Sequence, residues 1–462
     1  MRKRGLLGFL VLLIAVLGLA AAGCGGSDDD GGGDGGSAGG GGGGGVTALP
    51  ASSCRPVAYE GEGEADFIVA SDLPRQGGSR LQTTQMVAAM RLLLEDEGWK
   101  AGEYNIAYQD CDDATAQAGK WDSGKCSQNA NAYAGNESVI AVVGTFNSSC
   151  AAIEIPVLNN APGGGLLMMS PANTYGCLTE PCQGNEPEKY YPTGTRNYAR
   201  VAPSDPNQGA VVAQLMGEQG IKSVYILNDK EAYGLGVAKN VRGAAEAAGI
   251  KVLGFEAYTP TSANFEALFQ KIKGTNPDAV FVGGLVDENS GQLINDKVAV
   301  LGPNNGTVKL FLPDGFATDA VFQAKEGGTP KARDAFFTVA GAPVDDYTGK
   351  GGEFGKRFKD GPNGGKPVDP YAILAVQALD VVLDAIGRSD GTRGDVIAKA
   401  FETKIEDGFI GSFEFNENGD VTGASGAVLT FSVYKGTDKL TTHKTMKPEA
   451  DLIDAARKAA GG

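Results

Sequence analysis

Ser148 and Thr174 each follow a short apolar run, Val139 to Val143 and Leu166 to Met169, at a point where the chain leaves a predicted strand. In an open parallel sheet ligands sit beyond the carboxyl ends of the strands, where hydroxyls and the N–H groups of a helix start offer donors to an anionic group. A small zwitterion needs such donors for its carboxylate and an acid for its ammonium, a few ångströms apart and from opposite walls. Asp314, within Pro313-Asp314-Gly315, is a candidate for that acid. Read alone, an aspartate between proline and glycine is a turn residue, and Ser148-Ser149 equally suits the capping of a helix.

Bond-breaking chemistry has little to work with. His443 is the one histidine, no Gly-x-Ser-x-Gly elbow occurs, and no cluster has metal-ligand spacing. The acid pairs Asp112-Asp113 and Asp345-Asp346 fall among loop residues, where solvated turns are expected. The sequence therefore predicts no catalytic residue, no metal and no cofactor. An exported hydrolase is the weaker alternative.

The elements that must position these residues form an α/β alternation from Asp66 onward. A strand at Phe67 to Ala70 leads through a loop at Ser71 to Gly78 into a helix through Met86, Met90 and Leu93. Strands at Ile106 to Tyr108, Val139 to Val143 and Leu166 to Met169 follow, with a helix from Ser148 to Leu158. After Val201-Ala202-Pro203-Ser204-Asp205-Pro206 the grammar restarts. A helix from Gln208 to Gln219 precedes strands at Val224 to Leu227, Val252 to Tyr258, Ala279 to Val282 and Leu310 to Leu312, with helices beginning near Tyr233 and at Phe265. A long apolar helix from Tyr371 to Ile386, a hairpin around Glu417 to Asp420 and a final strand from Val428 to Tyr434 come last, as elements added back to the two units.

The amino terminus reads as an export signal. Met1-Arg2-Lys3-Arg4 precedes an apolar or small run from Gly5 to Gly23 that ends at Ala21-Ala22-Gly23-Cys24. Small residues before a cysteine resemble the lipobox of bacterial lipoproteins, with Ala21 where leucine is commoner, so Cys24 is the expected lipidation site and an uncleaved membrane span is the alternative. Residues 1–23 are the expected leader. Residues 24–48, almost wholly Gly, Ser and Asp at first, are a solvated tether with a reach of roughly 25 Å. The expected location is the outer face of the cytoplasmic membrane.

The remaining body of about 410 residues suits two lobes: residues 49–200 with 345–425, and 201–344 with 426–462. The formal charge of −16 argues against nucleic acid and anionic lipid as partners. Six cysteines follow Cys24, an even number in an oxidising compartment. The expected pairs are Cys111–Cys126 and Cys177–Cys182 as local staples, which leaves Cys54–Cys150, although six cysteines allow fifteen pairings.

Several segments in their order resemble the branched-chain amino-acid-binding family of type I periplasmic binding proteins, the receptors of ABC importers. They are Val142 to Ser149, Ser170-Pro171-Ala172-Asn173-Thr174, Tyr233-Gly234-Leu235-Gly236, Pro277 to Gly284 and Pro313-Asp314-Gly315. The resemblance implies two Rossmann-like lobes with parallel-sheet cores, joined by three crossovers and closing over a solute. It implies that Ser148, Ala172 and Thr174 contact a carboxylate, that Asp314 holds an ammonium and that Tyr233 closes the pocket. It further implies an amino acid or analogue as ligand, an ABC permease as partner and a monomeric receptor, with a ligand sensor of the same fold for amides, urea or aromatic acids as the alternative. Leu285 after Gly283-Gly284, and Arg75-Gln76 in the first loop, stand where relatives often carry aromatics and are candidate specificity residues. Hinges are expected near Val201 to Pro203, Ala342 to Asp346 and Gly423 to Gly426.

Overall fold

The computed structural model describes residues 45–425 and 430–461. The leader, Cys24 and most of the tether lie outside the described residues, as do Gly426 of the third expected hinge and Val428 of the expected final strand.

The first lobe begins with β1 (Phe67–Asp72), α1 (Arg80–Asp96), β2 (Lys100–Ala101) and β3 (Tyr104–Cys111). A small hairpin of β4 (Ala114–Thr115) and β5 (Lys120–Trp121) leads into α2 (Ser123–Gly135), followed by β6 (Val139–Gly144), α3 (Ser148–Asn159), β7 (Leu167–Ser170) and β8 (Tyr198–Arg200). Six of these strands form one sheet in the order β2-β3-β1-β6-β7-β8, parallel except at the β2 edge. β6 is buried along its whole length, as a strand covered by helices on both faces must be, and it therefore reads as an unbroken apolar run.

The second lobe runs through α4 (Asp205–Glu218), β9 (Ser223–Asn228), α5 (Ala232–Ala247), β10 (Lys251–Ala257), α6 (Glu266–Gly274), β11 (Ala279–Gly283), α7 (Ser290–Leu301), β12 (Lys309–Leu312) and β13 (Phe336–Ala340). The chain then returns to the first lobe with α8 (Gly349–Asp360), α9 (Pro370–Arg388) and α10 (Arg393–Phe401). A three-stranded antiparallel sheet follows, of β14 (Lys404–Gly408), β15 (Gly411–Phe415) and β16 (Val421–Thr422). It closes in the second lobe with β17 (Phe431–Gly436), β18 (Leu440–Met446) and α11 (Ala450–Gly461). The second sheet has the order β10-β9-β11-β12-β13-β17-β18, with the last two strands antiparallel. The chain thus passes between the lobes three times.

α9 packs along α1 and against β6 and β7. Among the described residues it is the one helix long and apolar enough to cross a membrane, but its apolar residues are buried, which makes it the central helix of the lobe. The β8 end is locked by Arg200. Its guanidinium is fully buried, with Nε 2.6 Å from Asp420, Nη1 donating to the Tyr175 carbonyl at 2.7 Å and Nη2 to the Thr179 hydroxyl at 2.5 Å. The turn between β15 and β16 and the loop that follows β7 are thereby tied to one cation.

Two of the expected disulfides are corrected. The bonds are Cys54–Cys111, Cys126–Cys150 and Cys177–Cys182. Cys111 is taken by Cys54, although the β4–β5 hairpin returns the chain so that the Asp122 N–H bonds the Asp113 carbonyl at 2.9 Å. The segment around Cys54 instead runs antiparallel beside β3, placing Cys54 opposite Cys111. Cys126 and Cys150 stand in the first turns of α2 and α3, two helices that pack together, with Cα atoms 5.7 Å apart.

Candidate ligand-binding site

A cleft of about 400 Å³, counted out to its mouth, lies where loops of the two lobes meet. Its first-lobe wall is made by the turns after β6 and β7. The β6 turn places Phe146, Asn147, Ser148 and Ser149 at the N-terminus of α3, where unpaired backbone N–H groups attract negative charge. The β7 turn supplies Ala172 and Thr174. The two turns are knitted together: the Ser170 hydroxyl donates to the Thr145 carbonyl at 3.1 Å and accepts from the N–H groups of Ala172 and Asn173. The Asn173 amide donates to the carbonyls of Thr145 and Phe146 at 2.9 and 3.0 Å. Such cross-bracing holds a loop at the precision a binding site needs.

The second-lobe wall carries Asp314 in the turn after β12. Its Oδ1 accepts from the Tyr233 hydroxyl at 2.5 Å and its Oδ2 from the Tyr371 hydroxyl at 2.6 Å. The Gly315 N–H donates to the same Tyr233 oxygen at 3.0 Å. Tyr233 stands in the first turn of α5 and Tyr371 in the first turn of α9, so one carboxylate is gripped by both lobes. Gly315 is required by close approach, because a β-carbon there would lie 2.5 Å from the Gly284 carbonyl oxygen and 2.9 Å from the Tyr233 ring. Burial pushes the Asp314 carboxyl above its ordinary range, and the two phenols pull it back down. Asp205, at the start of α4 with Thr174 against it, is fully buried and held well up by that burial and by the charge of Asp314.

Ser148, Ala172, Thr174, Tyr233, Leu285 and Asp314 therefore line one cleft. Arg75 and Gln76 do not. The Asp110 and Asp112 carboxylates draw them into a separate cleft on the first lobe, where the Arg75 N–H and the Gln76 amide bond Asp112 at 2.8 and 3.1 Å. Sequence reasoning missed Trp121, Phe146, Glu231 and Tyr371. Phe146 packs edge-on against Tyr371, 5.5 Å between ring centres. Glu231 precedes α5 beside Tyr233, and Tyr371 follows the Asp369-Pro370 helix start. Those two positions are the only sequence signal either residue carries.

The sequence signature described as "Periplasmic binding protein" matches residues 70–432. The chain belongs to the periplasmic binding protein family. A Leu/Ile/Val-binding protein of Rhizobium johnstonii is 29% identical over 300 residues, covering 64% of this chain and 72% of the relative. A Leu/Ile/Val-binding protein homolog of Brucella abortus is 26% identical over 370 residues, covering 79% and 90%. Among solved structures, a leucine-binding protein of Thermotoga maritima superposes with a TM-score of 0.68 at 21% identity, covering 83% of this chain and 99% of that one. A solute-binding protein of R. palustris in complex with benzoate superposes at 0.62 and 16%, covering 83% and 96%. These likenesses place the chain in the branched-chain amino-acid group of type I periplasmic binding proteins, whose members bind solutes outside the cytoplasm. The spread from leucine to benzoate leaves the solute open at the level of fold.

Proposed function

We propose that this protein captures a free α-amino acid between its two lobes and presents it to the permease of an ABC importer, as a monomer held at the outer face of the membrane by a lipid on Cys24. The anchor rests on the leader sequence alone. One observation carries the choice of ligand: Asp314, gripped by Tyr233 and Tyr371, faces the same cleft as the Ser148 and Thr174 turns.

That arrangement matches a zwitterion pole by pole. The α3 N-terminus with the Ser148 and Thr174 hydroxyls suits the carboxylate, and Asp314 suits the ammonium. A benzoate brings no cation, so it would seal its own carboxylate into the cleft with Asp314 and no counter-charge, at a cost of several kcal/mol. Tyr233 and Tyr371 each already donate to Asp314, which leaves its remaining lone pairs for the ligand. The protein supplies binding and no turnover, in keeping with relatives that are solute-binding proteins.

Titration calorimetry of the purified protein against the α-amino acids, with benzoate as comparison, tests the reading. At least one amino acid binds, and Asp314→Ala weakens it a hundredfold or more. Unchanged affinity in that variant, or a benzoate that binds more tightly than every amino acid, overturns the assignment.

A further inference from the structure

The cleft has a second polar pole that the amino and carboxylate groups of an amino acid do not use. Trp121 on β5 and Glu231 also line the cleft, and Phe146 and Leu285 stand nearer Asp314, against Tyr371 and Gly315. Trp121 is 8% exposed, and its indole N–H is buried with no acceptor among the described residues. A buried indole N–H ordinarily finds a partner. Glu231 belongs to the other lobe. The Ser149 hydroxyl bonds it, the charge of Lys120 lies nearby, and burial with the charge of Glu288 raises its carboxyl. Lys120 is itself paired with Glu288. Asp314 is held by Tyr233 and Tyr371, whereas Trp121 directly follows Lys120, whose charge reaches Glu231.

We propose, on the reading that the ligand is an α-amino acid, that its side chain ends in a primary carboxamide. The amide oxygen accepts from the Trp121 indole N–H, the amide nitrogen donates to Glu231, and Phe146 and Leu285 enclose the methylenes. The alternatives each leave something unpaired. An aliphatic side chain leaves the Trp121 N–H without an acceptor and brings Glu231 no donor beyond Ser149. A side-chain carboxylate satisfies Trp121 but meets Glu231 as a like charge, while an ammonium or guanidinium satisfies Glu231 and leaves Trp121 bare. A terminal amide carries one acceptor and two donors on a single planar group, so it answers both. Sites built around buried polar groups reject analogues that lack the matching group far more strongly than apolar pockets reject a missing methylene.

The test is a set of matched pairs in calorimetry on the full protein. Asparagine is compared with leucine, its near-isostere, and with aspartate; glutamine is compared with methionine and glutamate. We expect the amide of at least one set to bind tenfold or more tighter than both its partners. Glu231→Gln and Trp121→Phe are each expected to shrink that ratio at least fivefold. The ratio is the readout because a general folding defect weakens all ligands alike and leaves it unmoved. Failure of both amides to outbind their partners, or ratios unchanged in both variants, overturns the proposal and leaves the amino-acid reading standing. If no amino acid binds at all, both fall together.

Discussion

The Asp287 carboxylate of the second lobe caps a helix of the first: it accepts from the Gly78 N–H at 2.5 Å and from the Ser79 hydroxyl at 3.1 Å, immediately before α1. Ser79 makes no capping bond of its own, so this helix end depends on the opposite lobe for its anion. The next residue, Glu288, pairs with Lys120 of the first lobe. Two adjacent acids therefore clip the lobes together at the cleft's rim.

Removing the clip weakens capture without touching the ligand. A charge-assisted hydrogen bond of this kind contributes about 1.5–3 kcal/mol, so Asp287→Ala is expected to lower ligand affinity roughly tenfold to a hundredfold, mostly through faster release. Stopped-flow release rates, with X-ray scattering of the ligand-loaded protein, check it. An unchanged release rate would mean that the clip contributes nothing to closure.

Peptide mapping without reduction is expected to return Cys54–Cys111, Cys126–Cys150 and Cys177–Cys182. Cross-linking stabilises chiefly by restricting the unfolded chain, and more so for longer loops. With a sequence separation of 57 against 5, the first bond is worth about 4 kcal/mol and the third about 2 kcal/mol on that account. Denaturant unfolding of the paired serine variants should rank them in that order.

Acid is expected to stabilise the protein over part of its range. Burial, with the charges of Glu288 and Glu231, raises Asp229 from an ordinary value near 3.8 to about 8; burial also raises Asp287 and Asp369 to about 6. Between those values and about 4 the folded chain holds protons that the unfolded chain has released. Stability therefore rises as pH falls from 7 to 5. Asp229→Asn removes one such proton and should flatten that slope by about 1.4 kcal/mol per pH unit. The Asn oxygen can still accept from the Glu231 N–H, as Oδ1 does at 2.9 Å. Urea unfolding at several pH values decides it, and equal slopes in the two proteins would refute the assignment.

Most parallel strands were legible because a buried parallel strand writes itself as a run of apolar residues, as at Val139 to Val143 and Ala279 to Val282, whereas β8, β13 and β18 were not read. α2 was not either: the buried face of Ser123–Gly135 is Cys126, Asn129, Ala130 and Tyr133, a stripe at helical spacing but with no large aliphatic residue to announce it. The disulfides were misread for a related reason. Nearness along the chain stood in for nearness in space, and Cys54, far earlier in the sequence, lies directly beside Cys111. Asp314 was legible through its turn motif. Tyr371, which holds the same carboxylate from 57 positions further on, sits in an apolar helix start whose side chains all read as core. Glu231 and Trp121 are single polar or aromatic residues without period or motif, and only the meeting of the two lobes gives them a role.

The threefold passage of the chain between lobes also sets an order of events during synthesis. α9, the helix on which the first lobe's core is built, ends at Arg388, after every parallel strand of the second lobe has been made. β17, which completes the second sheet beside β13, begins only at Phe431. Neither lobe can finish alone, and both wait on the last fifth of the chain. Contacts so distant in sequence form slowly, and both lobes stay incomplete until that last fifth has been made.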